Sequence, residues 1–482
     1  MGISLNAASL LSGNGIDVNS IVNEVLNQQN GQLSVWQQQQ TELQSQAADL
    51  GTINGSLTAL VSSVNSLTDV LGPLNAKVVS SSDSSIVGGT AQTSASAGNH
   101  QIAVNSLATV GAVFTDSVAD PNASILPGGS TSGDLQLQIG GAGGAMHDIA
   151  ITQGSNDTLN TLASYINSQN WGVTASVVTD ANGSRLAISS QNSGSSGALA
   201  IANNTTSLNF EAPIGGTNAS LLVDGIPFSS ASNTVTGAIP GVTLNLITAP
   251  PGDAVQLTVG ADTTQASSAI NNFVSSYNTL IGFLNQEYTV DPTTNTEGDL
   301  ASDSSLRSLQ SSLLSDATYS VSGNDGYVNL AALGINMNND GTLTVDSSAL
   351  NNALANDPSA VLNFFQNSSL TGFANSFKAD LANLSDPTTG ILSTDLAQNS
   401  AEQKNLTDQI NDFQDRLNAE QQQLITQFSQ VNATLEEYPF LLQEVTSQLS
   451  QQSSPPSSGA NNGGAAATGT PFSNNSSAPS GI

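Results

Sequence analysis

Apolar residues recur every seven positions near the start of the chain, at Trp36, Leu43, Leu50, Leu57, Val64 and Leu71. A second series, Ile53, Leu60 and Leu67, runs three residues behind. Residues three and four apart share one face of an α-helix, so this is the a/d seam of a coiled coil. The helix it predicts opens at Asp17, whose side chain suits an N-cap, with Ile21, Val22, Val25 and Leu26 as its first stripe. It closes at Gly72-Pro73. Gly31, Gly51 and Gly55 each weaken a helix, so bends or breaks are expected there. The far end of the chain mirrors this pattern. From Leu396 to Leu449 a seam of Leu406, Ile410, Phe413, Leu417, Leu424, Phe428, Val431, Leu435, Tyr438, Leu442, Val445 and Leu449 is broken only by a polar gap at Gln421. Pro439 is expected to kink or interrupt that helix.

Between the two seams the period drops to two, the signature of strands. Gln101-Ile102-Ala103-Val104 lies in a strand-rich stretch over 76–110. A Gly/Ser/Asn-rich region, 116–215, holds strands at Leu135–Ile139, Ile149–Ile151, 173–178 and 185–189, with a short helix over Thr158–Ser168. Further strands fall at Leu221–Val223, Val242–Leu246 and Val255–Val259. Helix returns behind the cap Asp262, with Ile270, Phe273, Val274, Tyr277, Leu280, Ile281 and Leu284 on its apolar side. The predicted fold is therefore α+β and multidomain: a coiled-coil or helical-bundle stem formed by both chain ends, carrying two inserted β-rich head domains. The expected divisions are 1–39, a partly flexible N-terminal helical leg; 40–75 with 263–400, the helical stem; 76–115 with 216–262, the first head domain; 116–215, the second head domain; 401–450, the C-terminal coiled-coil leg; and 451–482, a disordered tail without charge.

Composition narrows the function. The chain has 37 acidic and 6 basic residues, a net charge of −31, yet only 9% of its 482 residues are charged. Ser, Thr, Asn and Gln must therefore build most of the surface. The six basic residues are scattered singly, which excludes nucleic acid and anionic membrane as partners, since phosphate binding needs clustered cations. No cysteine occurs, so disulfides, thiolate metal sites and thiol nucleophiles are ruled out. The opening segment has neither the basic n-region nor the apolar h-region of a Sec signal, and no apolar run approaches the roughly 18 residues of a membrane span. A cytoplasmic chain, or one exported without a cleaved signal, is expected.

Candidate chemistry is sparse. His147, in Met146-His147-Asp148, has no second His nearby to complete a metal site, and His100 is expected at a turn. The run Gly140–Ala145 lacks the Lys-Ser/Thr of a phosphate loop and leads into a strand, so a hairpin turn is the better reading. Asn336, Asn338, Asp340 and Gly341 imitate the start of a calcium loop, but Ser347 stands where a bidentate Glu belongs. Asp340-Gly341 instead signals a hairpin. The acidic stretch Asp291–Glu297 offers at most a weak calcium site, and a solvated loop is the better reading. Glu436 and Glu437 are adjacent on a helix and face different ways, so they form no acid/base pair. No catalytic, cofactor-binding or metal-binding residues are assigned, and the protein is expected to be no enzyme.

Several ordered pieces resemble the flagellar hook-associated protein 2 family, the filament cap proteins, over nearly the whole chain. They are Ser12-Gly13-Asn14-Gly15-Ile16-Asp17-Val18-Asn19-Ser20-Ile21-Val22; Val223-Asp224-Gly225-Ile226; Ser232–Leu244, with its Ile239-Pro240-Gly241-Val242-Thr243-Leu244; Phe273–Asn278; Leu306–Leu309; Leu333-Gly334-Ile335; Asp340–Asp346; and Leu354–Val361. The resemblance implies a secreted, extracellular protein at the flagellum tip, exported through the flagellar type III apparatus. It implies a homo-oligomeric ring of about four to six subunits, with flagellin, hook–filament junction proteins and an export chaperone on the C-terminal helix as partners. The extreme acidity and the uncharged extension after Gln452 depart from the family pattern. The apolar seams give the candidate partner-binding residues Ile21, Val25, Leu424, Phe428, Leu435, Leu442, Val445 and Leu449, whereas residues 43–71 are expected to be core. Competing readings are another filament or junction subunit, an adhesin or glycan-binding protein using its β-rich head domains, and a polysaccharide-modifying enzyme. The last would need an aromatic cleft, and aromatics are only 4% of residues.

Overall fold

A computed structural model of the chain describes residues 17–452, other than 291, 293–295 and 325. The tail past 452, the first sixteen residues of the N-terminal leg with the Ser12–Ile16 part of the opening motif, and most of the Asp291–Glu297 loop lie outside the described residues. Helices stand at both ends of the chain and sheets fill its middle, as the change of period predicts. Two compact units divide it: Met1–Gln44 with Ala401–Ile482, and Ser45–Ser400.

The first helix, α1 (Val18–Thr68), starts at Asp17, whose Oδ1 accepts from Ser20 N at 3.1 Å. In the larger unit its seam residues Leu50, Ile53, Leu57, Leu60, Val64 and Leu67 are at most 2% exposed. The breaks expected at Gly31, Gly51 and Gly55 do not occur. Each glycine costs a helix about 1 kcal/mol, whereas every fully buried aliphatic side chain returns about 1.5–3 kcal/mol, so burial wins. Leu71 is not the next seam residue: it lies past the helix end and is 73% exposed. Asp69 turns the chain there, accepting from Leu71 N on its carboxylate and from Gly72 N on its carbonyl.

Four strands follow: β1 (Lys77–Ser81), β2 (Val87–Ala91), β3 (Gly98–Ser106) and β4 (Val110–Phe114). β5 (Ser132–Ile139) and β6 (Ala145–Thr152) make a hairpin whose turn uses positive φ at Gly140, Gly141 and Gly143. α2 (Leu159–Ser168), held by a reciprocal Thr158–Thr161 capping box, precedes β7 (Val173–Asp180), β8 (Gly183–Ser193) and β9 (Leu199–Asn204). The return path supplies β10 (Ala219–Val223), β11 (Ile226–Ser230), β12 (Thr234–Ile239), β13 (Val242–Leu246) and β14 (Ala254–Ala261). All pairings are antiparallel. A five-stranded sheet, β1-β14-β3-β10-β11, and a three-stranded sheet, β12-β13-β2, share a core around Ile102, Leu221, Leu244 and Leu257. Sheets β4-β8-β7 and β6-β5-β9 enclose another with α2, around Val113, Leu135, Leu162 and Ile188. His100 corrects the sequence reading: it sits within β3, not at a turn, and its Nδ1 lies 2.8 Å from Asp224 Oδ2.

Helix resumes as α3 (Thr263–Glu287), where Asp262 Oδ1 accepts from Thr264 N and Gln265 N at 3.1 and 3.0 Å, the cap expected. α4 (Ser304–Ala317) starts at the cap Asp303. β15 (Ile335–Met337) and β16 (Leu343–Val345) form the hairpin expected at Asp340-Gly341, with Gly341 at φ +80°. α5 (Ser347–Asn356), α6 (Pro358–Phe365), α7 (Phe373–Leu384) and α8 (Ile391–Gln452) complete the chain. α8 runs as helix straight through position 439, so the interruption expected at Pro439 is absent; one lost backbone bond in a 62-residue helix is outvoted by its neighbours. The core of this helical region is aromatic. Phe273 meets Phe377 edge-on at 5.6 Å, and Phe364 stacks on Phe373 at 5.4 Å. Leu57, Leu60 and Val64 of α1 belong to the same core.

Candidate partner-binding surface

In the smaller unit the start of α1 and the body of α8 run antiparallel. Gln403 Nε2 donates to the Leu43 carbonyl at 3.1 Å, Gln40 Nε2 to Thr407 Oγ1 at 2.9 Å, and Gln29 Nε2 to Glu420 Oε1 at 3.1 Å. Amide side chains thus flank the contact where charged pairs would flank an ordinary coiled coil, in keeping with the low charge density. Val22, Leu26, Phe413 and Leu417 are buried between the helices, with Val18, Leu33, Leu424, Ile425 and Phe428 packed on them. Trp36 meets Phe413 edge-on at 5.3 Å, and the Arg416 guanidinium carbon lies 4.9 Å from the Phe413 ring centre.

The eight candidate residues separate into three groups. Leu424 and Phe428 are half-buried against this cluster. Ile21 and Val25 are half-buried but stand outside it, and their neighbours Val22 and Leu26 make the contact instead. Leu435, Leu442, Val445 and Leu449 are exposed, by 37%, 59%, 51% and 63%. Tyr438, Phe440 and Leu441, which the candidate set omits, are equally open. Phe440 falls off the three-and-four spacing, and Leu441 competes with Leu442 for one place on it, so a search for a single seam passes over both. A run of bulky residues on a helix flanked by glutamates was the available signal. The exposed stretch of α8 thus offers an apolar stripe bordered by Glu436, Glu437 and Glu444. Such a face suits an amphipathic helix with neutral or basic flanks.

Titratable groups elsewhere have structural surroundings. His147 stacks on Trp171, with ring centres 4.5 Å apart and planes 24° apart. Asp316 and Asp380 line one cleft with Ser311, Ser315 and Asn383. Burial first, and the Asp380 carboxyl second, push the Asp316 carboxyl up to about 7. Hydrogen bonds from His100 and from the Gln101 amide hold the Asp224 carboxyl below the usual range. Among the described residues, no helix is long and apolar enough to cross a membrane.

Comparison with known proteins bears on these elements directly. The family profile "Flagellar hook-associated protein 2 N-terminus" matches residues 14–110, and "Flagellar hook-associated protein 2 C-terminus" matches 216–439. A "Flagellin hook IN motif" matches 134–192, within the β5–β8 region. The B-type flagellar hook-associated protein 2 of Pseudomonas aeruginosa is 31% identical over 409 residues, which cover 78% of this chain and 83% of that protein. The flagellar hook-associated protein 2 of Escherichia coli K12 is 27% identical over 470 residues, covering 92% and 97%. Among solved structures, the D1-D2-D3 domains of the E. coli flagellar cap protein FliD superpose with a TM-score of 0.57 at 26% identity, covering 73% of this chain and 99% of that one. With both ends of the chain and most of a relative's length matched, the chain belongs to the flagellar hook-associated protein 2 family.

Proposed function

We propose that this protein is a structural cap at the distal tip of the bacterial flagellar filament, forming a ring of identical subunits beneath which flagellin folds and polymerises. The observation that carries the reading is the likeness to the flagellar cap structure, spread over 99% of that chain. The work is done by packing: no reaction is assigned to any residue. In this reading the β-rich regions, 76–115 with 216–262 and 116–215, form the plate of the ring, and the helical stem, 40–75 with 263–400, supports it. The terminal legs, 1–39 and 401–450, reach the filament. Ile21, Val25, Leu424, Phe428, Leu435, Leu442, Val445 and Leu449 are the proposed contacts to flagellin or to neighbouring subunits. An open apolar face on a helix is the usual mark of such an interface. Export proceeds through the flagellar type III apparatus, with a chaperone on the C-terminal helix, and delivers the protein outside the cell. A cysteine-free chain suits passage in an unfolded state. No observation favours the adhesin reading over this one.

The test replaces Leu435, Leu442 and Leu449 together by Ser in cells that lack another copy. Filament growth should stop while the purified variant keeps its sheets and stem. Long filaments grown under the variant would sink the leg assignment. Light scattering on the full chain addresses the ring, for which a discrete assembly of about four to six subunits is expected.

A further inference from the structure

We propose that the two β-rich regions are locked into one rigid head by a clasp, in which the turn at residues 193–198 of the second is gripped by both chain crossings and by the Ala231 loop of the first.

The crossings alone would make a hinge. Ala108 and Ala219 belong to the core around Ile102 and Leu221, and Val113 and Leu208 to the core around Leu135 and Ile188. The chain therefore passes between the two cores twice, through 109–112 and 209–218, and regions joined in this way ordinarily move relative to each other. Here the crossings are zipped together. Thr109 N donates to the Thr217 carbonyl at 2.9 Å, Ala112 N to the Ile214 carbonyl at 2.9 Å, and Ile214 N back to the Ala112 carbonyl at 2.8 Å. The Thr109 and Thr217 hydroxyl oxygens lie 2.8 Å apart. A two-stranded ribbon is marginal by itself, so a third contact is needed to fix the angle.

That contact comes from the turn after β8. Gly194 N donates to the Thr109 carbonyl at 3.0 Å, and Ser193 Oγ to the Ala231 carbonyl, in the β11–β12 loop, at 2.7 Å. Asn218 serves both regions: its Oδ1 accepts from Ser195 N at 2.8 Å, and its Nδ2 donates to Ser229 Oγ on β11 at 3.2 Å. Asn233 ties the β11–β12 loop back to the first crossing through the backbone of Ala108. Water can replace any one of these bonds at an exposed site, but it cannot enter where backbones touch. A Cβ on Gly194 would stand 2.6 Å from Ala231 Cα, and one on Gly216 2.5 Å from the Gly194 carbonyl oxygen. Gly194 also sits at φ +81°, whereas Gly216 is outside the left-handed region, so at Gly216 close approach alone excludes a side chain. The turn is thus held on three sides, with no room for water at either contact. The clasp is read on the free subunit and stands apart from the cap reading. Only its consequence for a ring, that movement between subunits is taken up outside the head, rests on that reading.

The chain has no cysteine, so paired spin labels can be placed cleanly on the full-length protein. Ser80→Cys, exposed on β1, with Ser176→Cys, exposed on β7, spans the two regions. Ser132→Cys with Ser176→Cys lies within the second region and serves as the reference. Pulsed dipolar spectroscopy should give the spanning pair one distance distribution as narrow as the reference. Gly216→Val wedges the crossings from the turn and should roughly double the width for the spanning pair while leaving the reference unaltered. Asn218→Ala removes the bridge without adding bulk and should broaden the spanning pair by a smaller margin. It decides the matter should a changed reference show that the valine variant misfolds. A spanning pair much broader than the reference before either substitution would overturn the clasp, and so would an unchanged width in Asn218→Ala and in a folded Gly216→Val. Filament growth does not enter the assay, so failure here leaves the cap reading untouched, and the reverse.

Discussion

The Asn278 side chain pairs with the backbone of Leu343 as a strand would, donating Nδ2 to its carbonyl at 2.7 Å and accepting its amide on Oδ1 at 2.6 Å. Two other asparagines repeat the device. Asn167 brackets Ala175 at 2.8 and 2.8 Å, and Asn233 brackets Ala108 at 2.7 and 3.0 Å. In a chain with few charges, primary amides take over the fastening of strands and loops to their neighbours. Asn278→Ala leaves both backbone groups of Leu343 without those partners. The helical core should lose about 1–3 kcal/mol, read as a lower urea midpoint. Asn278→Asp keeps only acceptors and should fail to rescue it.

Gly51 and Gly55 are exposed on α1, and a Cβ added at either meets nothing within 4 Å. Gly51→Ala and Gly55→Ala should each raise stability by about 0.5–1 kcal/mol. A drop in melting temperature for either would mean that the glycine serves a contact made only in the assembly.

Position along the seam should decide the cost of truncation. Leu57 is fully buried, so Leu57→Ala should cost about 2–5 kcal/mol. Leu442→Ala, at an exposed position, should stay within about 0.5 kcal/mol in the isolated subunit. Chemical denaturation of the two variants side by side checks the contrast.

Asp316 makes the stem sensitive to pH. Its folded carboxyl is raised from 3.8 to about 7, so the fold favours the protonated form. That contribution is complete below about pH 4, the unfolded value, and is lost as pH rises through 7. Allowing for its half-exposed position, the loss should be about 1–2 kcal/mol. Asp316→Asn should flatten this part of the stability–pH curve. An unchanged slope between pH 4 and 8 would assign the dependence elsewhere.

Asp224 and Gly225 close the β10–β11 hairpin at φ +53° and +81°, and the Asp224 carboxylate accepts from Gln101 N at 2.8 Å. Asp224 titrates in the opposite sense to Asp316. Its lowered pKa gives stability above the unfolded value near 4 that is lost as pH falls. Gly225→Ala forces a Cβ into the left-handed region and should cost about 1 kcal/mol, seen as faster exchange of the β10 and β11 amides.

Much of the fold was legible because its causes are local. The heptads of α1 and α8, the caps Asp17 and Asp262, and the turns at Gly140–Gly144 and Asp340-Gly341 follow from side-chain spacing and from residues that tolerate a given φ. Four helices, α4 to α7, went unmarked, although Asp303, Asp346 and Pro358 carried ordinary start signals. At 8 to 14 residues each, they are too short for a helical period to repeat often enough to stand out.

What the sequence determined by itself was the order of helix and strand, the absence of thiol chemistry, the scattered charge and a pair of apolar seams, all properties of short windows. Only tertiary structure decided which seam residues are core and which are surface. Val22 and Leu26, not Ile21 and Val25, face α8, because the lie of one helix on another selects among neighbours of equal hydrophobicity. Likewise, burial of Leu50, Ile53 and Leu57 overrode the glycines beside them. The asparagine fastenings join residues as far apart as Ala108 and Asn233. No local pattern encodes such a pair, since it exists only once the chain has folded back and excluded water from both groups.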